Sequence, residues 1–320
     1  MINVVHIDGL NGINYHRLIV PLRRLTQQGV FFHWIQSLNE LKDMNLDMVD
    51  NLIISRKASV NKHKEFSKML KQHGIRLILD NDDYWELNTD NPAKGLYDVY
   101  YGPDIKKTIK IADVIWTPSR YLAKEMRKLN KTATIEFVNN AIDDTEEQWS
   151  KQRKYPFGAL RFGYMGALGH LNDLKQIGYD FKKVYTYGVK GMEYDNILNY
   201  NKTSAPRDIW NYAKLYRSTD VSLVPLSDNK FNLCKSDLKV TEAAITRTAI
   251  ITSNIIPYNE TVIHGETGLL CSSPEEWAWA IDSMNKDKAQ RLADNLHEAL
   301  KDSPNHNLDL VNLVRMKYLA

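Results

Sequence analysis

The sequence predicts an α/β protein built from two parallel-sheet domains. Two observations carry this reading. Short apolar runs alternate with amphipathic segments through both halves of the chain, and a polar stretch from Asp143 to Pro156 interrupts the alternation near its middle. The 320 residues suffice for two such units of about 150 residues each. The expected organisation is a first domain over residues 1–150, a second over 151–304, and a C-terminal helix over 305–320 that packs back toward the first domain.

In the first half, strands are predicted at Asn3 to Ile7, Val30 to Trp34, Leu52 to Ser55, Arg76 to Leu79, Val114 to Thr117 and Thr134 to Val138. The intervening helices are predicted at Tyr15 to Gln27, Lys62 to His73, Ile105 to Ile111 and Arg120 to Leu129. Ser119 is placed to cap the last of these. In the second half, the apolar runs Leu160 to Met165, Lys183 to Tyr187, Val221 to Pro225, Ala249 to Ser253 and Gly268 to Cys271 read as strands. Helices are predicted at Ile209 to Tyr216, Asp237 to Thr246, Pro274 to Asn285, Lys288 to Asp302 and Asn307 to Tyr318. Ser273, Pro274 and Glu276 have the spacing of a capping box.

Composition narrows the function classes. Hydrophobic residues make up 43% and charged residues 25% of the chain, and the net charge is +3. No global basic field marks a nucleic-acid binder. The charge is uneven, however: residues 55 to 76 carry seven Lys or Arg against Glu65 alone, and residues 101 to 131 carry eight against three acids. This is a solvated helix face or a contact surface for something anionic. Two cysteines, Cys234 and Cys271, make no disulfide framework and fit a reducing compartment. The opening MINVVHIDGLNG lacks a basic n-region, and no run reaches the roughly 18 apolar residues a membrane span needs. A cytoplasmic protein, peripheral to a membrane if associated with one at all, is expected.

In parallel sheets, ligands bind where strands end and helices begin. The first such place is Asp8-Gly9-Leu10-Asn11-Gly12, with His16 and Arg17 close behind; its glycines allow close backbone approach, and the following helix offers free N–H groups. The second is Asp80-Asn81-Asp82-Asp83-Tyr84, where mutually repelling carboxylates call for a compensating cation, water or ligand hydroxyls, and where one carboxylate is able to orient or deprotonate a hydroxyl. Asp80-Asn81-Asp82 also has the Asp-x-Asp spacing of a metal motif. The third is Val138 to Asp143, read as a structural turn lining the cleft. The fourth is Gly163 to His170 followed by Asp173, a turn whose amides are able to hold a diphosphate.

The fifth is Phe231 to Leu270, FNLCKSDLKVTEAAITRTAIITSNIIPYNETVIHGETGLL. Lys239 and Glu242 lie three apart on one helical face. A carboxylate suits the vicinal hydroxyls of a ribose, and lysine or serine suits a diphosphate.

This last stretch resembles the donor-binding signature of the retaining glycosyltransferases of family four, which have the GT-B fold of two Rossmann-like domains facing a cleft. The resemblance extends over nearly the whole chain. It implies a nucleotide-diphosphate sugar, a UDP- or GDP-sugar, as co-substrate, with no cofactor and no metal. It implies donor binding by Gly9, Gly12, Gly166, Asp173, Asn232, Lys235, Ser236, Lys239 and Glu242. Asp82, Asp83 and His170 are the expected catalytic groups, and His16, Arg17 and Tyr84 the expected acceptor contacts. One departure stands out: Cys234 occupies the place of the family's first motif Glu. Competing readings are a GT-B binding module without catalysis, a nucleotide-sugar epimerase on the same fold, and a metal-dependent GT-A enzyme using Asp80 and Asp82. The acceptor is open among a lipid-linked saccharide, nucleic acid bearing a hydroxyl, and protein.

Overall fold

The computed structural model describes residues 1–56, 58–60, 62–89, 91, 93–150, 160–166, 171–175, 177–179, 185–189, 203–204 and 209–319. In chain order the first half contains β1 (Asn3–His6), α1 (Gly12–Asn14), a π-helical turn (Tyr15–Ile19), α2 (Val20–Gln27), β2 (Phe32–Ile35), β3 (Asn51–Ser55), α3 (His63–Gln72) and β4 (Arg76–Asp80). It continues with α4 (Lys94–Leu96), a second π-helical turn (Tyr97–Tyr101), α5 (Gly102–Ile111), β5 (Val114–Thr117), α6 (Arg120–Leu129), β6 (Thr134–Phe137) and α7 (Glu147–Ser150). The second half contains β7 (Arg161–Gly163), α8 (Leu171–Lys175), β8 (Tyr185–Val189), β9 (Thr203–Ser204), α9 (Ala213–Arg217), β10 (Val221–Val224), α10 (Lys230–Leu233), α11 (Leu238–Ile245) and β11 (Ala249–Ser253). β12 (Leu269–Cys271), α12 (Pro274–Asp282), α13 (Lys286–Leu300) and α14 (Leu308–Leu319) follow.

Among the described residues the strands form two six-stranded sheets, with orders β2-β1-β3-β4-β5-β6 and β12-β11-β10-β7-β8-β9. Every strand pairing among the described residues is parallel. Strands such as Leu52–Ile54 and Leu77–Leu79 are apolar without alternation because helices cover both sheet faces. On one face of the first sheet, Leu52, Leu77, Ile105, Leu122 and Met126 form one apolar cluster; on the other, Val5, Leu18, Leu22 and Trp116 form a second. That second cluster includes Leu308, Val311 and Leu319 of α14. Helix α14 is fastened there by amide side chains: Asn3 and Asn51 donate to the carbonyls of Leu319 and Tyr318, and Asn312 donates to Pro21 O.

The structure departs from the sequence reading at several boundaries. The strand expected from Val30 starts at Phe32, because Val30 N–H closes the preceding helix on Leu25 O and Gly29 turns there with φ +92°. The expected strand Leu160 to Met165 is Arg161–Gly163, and the helix expected from Ile209 is Ala213–Arg217. The polar stretch from Asp143 contains α7, whose Trp149 is buried beside Tyr15 and Ala213; residues 151–156 lie outside the described residues. The capping box at α12 is offset by one residue. Ser273 Oγ accepts from Glu276 N–H as expected, but the Glu276 carboxylate accepts from Ser272 N–H rather than Ser273 N–H.

Gly163 is among the glycines needed for packing. A Cβ on Gly163, at the end of β7, would stand 2.6 Å from Thr219 Oγ1. Gly163→Ala is therefore expected to lower unfolding stability by about 1–3 kcal/mol through overpacking. A denaturation midpoint unchanged from the parent protein would show that the contact relaxes freely.

Candidate active site at the cleft between the sheets

The first wall of the cleft is the turn after β1. Asn11 caps α1 by accepting from Asn14 N–H, and Asn14 Nδ2 donates to Asp8 Oδ1 at 2.6 Å and to Gly9 O at 2.8 Å. This folds the turn so that Gly9, at φ +123°, points outward while Gly12 faces the cleft. The π-helical turn that follows buries Tyr15, His16, Arg17 and Leu18 in succession, which a regular helical face would not do. The Tyr15 hydroxyl receives Gln148 and Trp149 of α7 and donates to Glu146, so the interdomain segment is tied to this turn.

Arg17 is consumed internally. Its Nε and Nη2 donate to the two Asp80 oxygens at 2.8 and 2.9 Å, and Nη1 donates to Val138 O and Asn140 Oδ1. Arg17 borders the cleft, but four of its five N–H donors are committed inside the protein, one of them to Asn140, which it positions. Burial holds the Asp80 carboxyl above the usual carboxylate range, and neighbouring Arg17 offsets only part of this.

The acidic turn after β4 finds its compensating cation in Arg56. Arg56 Nε donates to Asp82 at 2.5 Å and Nη2 to Asp83 at 2.7 Å, while Nη1 reaches the Tyr97 hydroxyl at 2.9 Å. Asp80 and Asp82 thus face different guanidinium groups and do not converge, which removes the geometric basis for an Asp-x-Asp metal site. Asp82 and Asp83 both line the cleft. Tyr84 does not: it is buried against Trp85, with Lys230 Nζ 4.9 Å from its ring centroid.

The second wall comes from α10, α11 and the loop between them. Lys235 reaches across to Asp83 at 2.7 Å, and the Ser236 hydroxyl accepts from Asn140 Nδ2 at 2.7 Å. Glu242 is 1% exposed. It accepts from the Tyr216 hydroxyl at 2.7 Å and from Lys239 Nζ at 3.2 Å, and one oxygen lies 3.5 Å from His16 Nε2. Lys239 also donates to the Tyr212 hydroxyl at 2.6 Å. Burial alone would raise the Glu242 carboxyl, but the Lys239 ammonium, His16 and Tyr216 together bring it down to about 2. The result is a carboxylate that is ionised at neutral pH at the back of the cleft.

Asp173 and Asn232 do other work. Asp173 accepts from Ser227 N–H at 2.7 Å and from Asn232 Nδ2 at 2.9 Å, so the pair shapes the loop after β10 without facing the cleft. Cys234 is buried in the first domain's apolar cluster, and burial pushes its thiol up to about 12. His170 lies outside the described residues.

These walls enclose a cavity of about 700 Å³. Of the predicted site residues, Gly12, His16, Arg17, Asp82, Asp83, Gly166, Lys235, Ser236, Lys239 and Glu242 line it; Gly9, Tyr84, Asp173 and Asn232 do not. Sequence reasoning missed Tyr212, Tyr258 and Arg56. Tyr212 and Tyr216, four apart on a predicted helix, carry the one signal available for the tyrosines.

The comparisons with known proteins agree on the architecture. A glycosyltransferase from Rickettsia africae ESF-5 superposes with a TM-score of 0.61 at 12% identity, over 99% of this chain and 97% of that one. Sucrose-phosphate synthase from Thermosynechococcus elongatus gives 0.64 at 12% identity, over 99% and 97%. The fold is GT-B. HepE from Anabaena, solved in complex with UDP-glucose, gives 0.62 at 11% identity over 99% of this GT-B chain and 98% of its own. Residues 198–287 match the family model for glycosyl transferases group 1. No curated protein sequence matches the chain. Fold and matched region together are those of a glycosyltransferase. Among the described residues of this GT-B chain, no helix is long and apolar enough to cross a membrane.

Proposed function

We propose that this chain transfers a sugar from a nucleotide-diphosphate donor, a UDP- or GDP-sugar, to a hydroxyl acceptor, with retention of configuration and without a metal or cofactor, as a divergent member of the family-four group. The observation that carries the proposal is the Glu242 carboxylate, buried, ionised and held by Lys239, Tyr216 and His16 at the back of an interdomain cavity. In this reading Glu242 accepts hydrogen bonds from the vicinal ribose hydroxyls. Lys235, Ser236 and Lys239 face the diphosphate, with Gly12 and Gly166 leaving room for it. The complexes of HepE with UDP and with UDP-glucose support the donor class.

The reaction breaks the bond between the anomeric carbon and the β-phosphate oxygen. It forms a bond from the acceptor oxygen on the same face, and the acceptor proton passes to the departing phosphate. Lysines at the cavity wall stabilise the charge that grows on the leaving group. Asp82 and Asp83, anchored by Arg56, are placed to orient the acceptor hydroxyl from the first domain. His170 remains a candidate catalytic group by sequence alone. The two free, buried cysteines support a reducing, cytoplasmic setting.

The test combines binding and turnover. A thermal-shift screen against UDP- and GDP-sugars should identify one stabilising donor, since stabilisation grows with occupancy. With that donor and an acceptor pool, the product's anomeric coupling constant should match the donor's, and EDTA should leave the rate unchanged. No shift with any nucleotide sugar sinks the donor assignment. An inverted product sinks retention, loss of rate in EDTA sinks metal independence, and conversion of the donor without acceptor supports an epimerase instead.

A further inference from the structure

We propose that the outer helical face of the first domain docks on an anionic lipid surface, and that the acceptor is carried by that surface; the second clause rests on the glycosyl-transfer reading above. Helices α3, α5 and α6 lie side by side over one face of the first sheet. Lys64, Lys68 and Lys71 on α3, Lys107 and Lys110 on α5, and Lys124 on α6 are all exposed. Among the described residues none of the six forms an ion pair within 4 Å, and only Lys107 feels a nearby carboxylate, that of Asp104. The three helices carry only three acids, and two are already taken: Asp104 pairs with His63, and Glu125 pairs with Lys128 and Lys230. The face therefore presents a net cationic surface.

A second, independent feature adjoins it. The segment from α4 through the second π-helical turn leads directly into α5 and exposes four large apolar side chains: Leu96 at 54%, Val99 at 66%, Tyr100 at 66% and Tyr101 at 44%. The contacts of His63 with Asp104 and Thr108 bring the start of α3 beside the start of α5, so the lysines begin where this apolar knuckle ends. Tyr97 in the same turn points inward and accepts from Arg56, which holds Asp82 and Asp83 at the cavity wall. The knuckle is thus one side chain removed from the acceptor side of the cleft.

Cations flanking exposed apolar and aromatic side chains are what a protein needs to sit in a headgroup layer, where lysines meet lipid phosphates and the apolar groups enter the acyl boundary. A nucleic-acid backbone would take the lysines but has no use for Leu96 and Val99. The combination favours lipid.

The full chain should sediment with vesicles of phosphatidylcholine containing about 30% phosphatidylglycerol, and not with phosphatidylcholine alone. Binding should weaken with added salt. The triple variant Lys64→Gln, Lys68→Gln, Lys107→Gln should bind the anionic vesicles about 100-fold more weakly, at about fivefold per lysine. Leu96→Ser with Val99→Ser should also weaken vesicle binding while leaving the salt slope unchanged. Neither variant should alter the thermal shift given by the donor, so failure of docking and failure of the donor assignment are read separately. Equal partition to neutral and anionic vesicles, or no partition to either, overturns the proposal. So does binding to a DNA duplex at least as tight as to the vesicles and indifferent to Leu96→Ser with Val99→Ser.

Discussion

Glu242→Gln is expected to abolish the donor-induced thermal shift and to lower kcat/KM by 100-fold or more. The substitution keeps side-chain volume and removes only charge. A hydrogen bond to a charged group contributes about 1.5–3 kcal/mol, so weakening two of them at a ribose costs roughly two to four powers of ten in binding. Lys239, Tyr216 and His16 would face a neutral amide where they now share a carboxylate. A variant that binds donor within twofold of the parent, measured by calorimetry, would refute the ribose assignment.

The same residue sets an acid limit. Its carboxyl lies at about 2 in the folded protein against 4.5 ordinarily. Because the folded value is the lower one, the unfolded chain binds more protons between the two, and stability rises with pH across that window. The contribution is complete above about pH 5 and is lost as pH falls toward 2, with a size on the order of 3 kcal/mol. Glu242→Gln should flatten the stability–pH curve between about pH 5 and 2. An unchanged slope would show that other carboxylates dominate there.

What was legible in the sequence was local. Lys235, Ser236, Lys239 and Glu242 sit within one short segment, and the shared helical face of Lys239 and Glu242 follows from their spacing alone. The strand-end rule found the two turns of the first domain for the same reason. What was illegible depended on contacts between distant segments. Arg56, far from the acidic turn in sequence, decides the state of Asp82 and Asp83. Asp173 and Asn232 are polar groups at strand ends, as ligand-binding residues are, yet they satisfy each other. A sequence does not distinguish a carboxylate awaiting a ligand from one already paired within the protein. Cys234 shows the same limit: the motif locates it, but its direction, into the first domain's apolar cluster, comes from packing across the cleft. The polar character of residues 143–156 likewise hid a helix whose Trp149 and Gln148 are held by Tyr15.

Arg17→Met is expected to cost about 3–5 kcal/mol of stability, because it leaves Asp80 buried without its counter-ion. Both side chains are 1% exposed. The intact pair is not a strong net stabiliser, since burial holds the Asp80 carboxyl high even beside the guanidinium. Removing both charges should therefore recover most of the loss: Arg17→Met with Asp80→Leu is expected to fall within about 1–2 kcal/mol of the parent, which denaturant titrations of the four proteins in a double-mutant cycle would measure. Activity should not recover with stability. Arg17 also donates to Val138 O and Asn140 Oδ1, and Asn140 in turn donates to Ser236 across the cleft. The stable double variant retains the fold but lacks that support, so its KM for donor should rise with little change in kcat. If single and double variants lose stability equally, the Arg17–Asp80 charges are uncoupled; if the double variant keeps the parent's KM, Arg17 has no part in positioning Asn140 and Ser236.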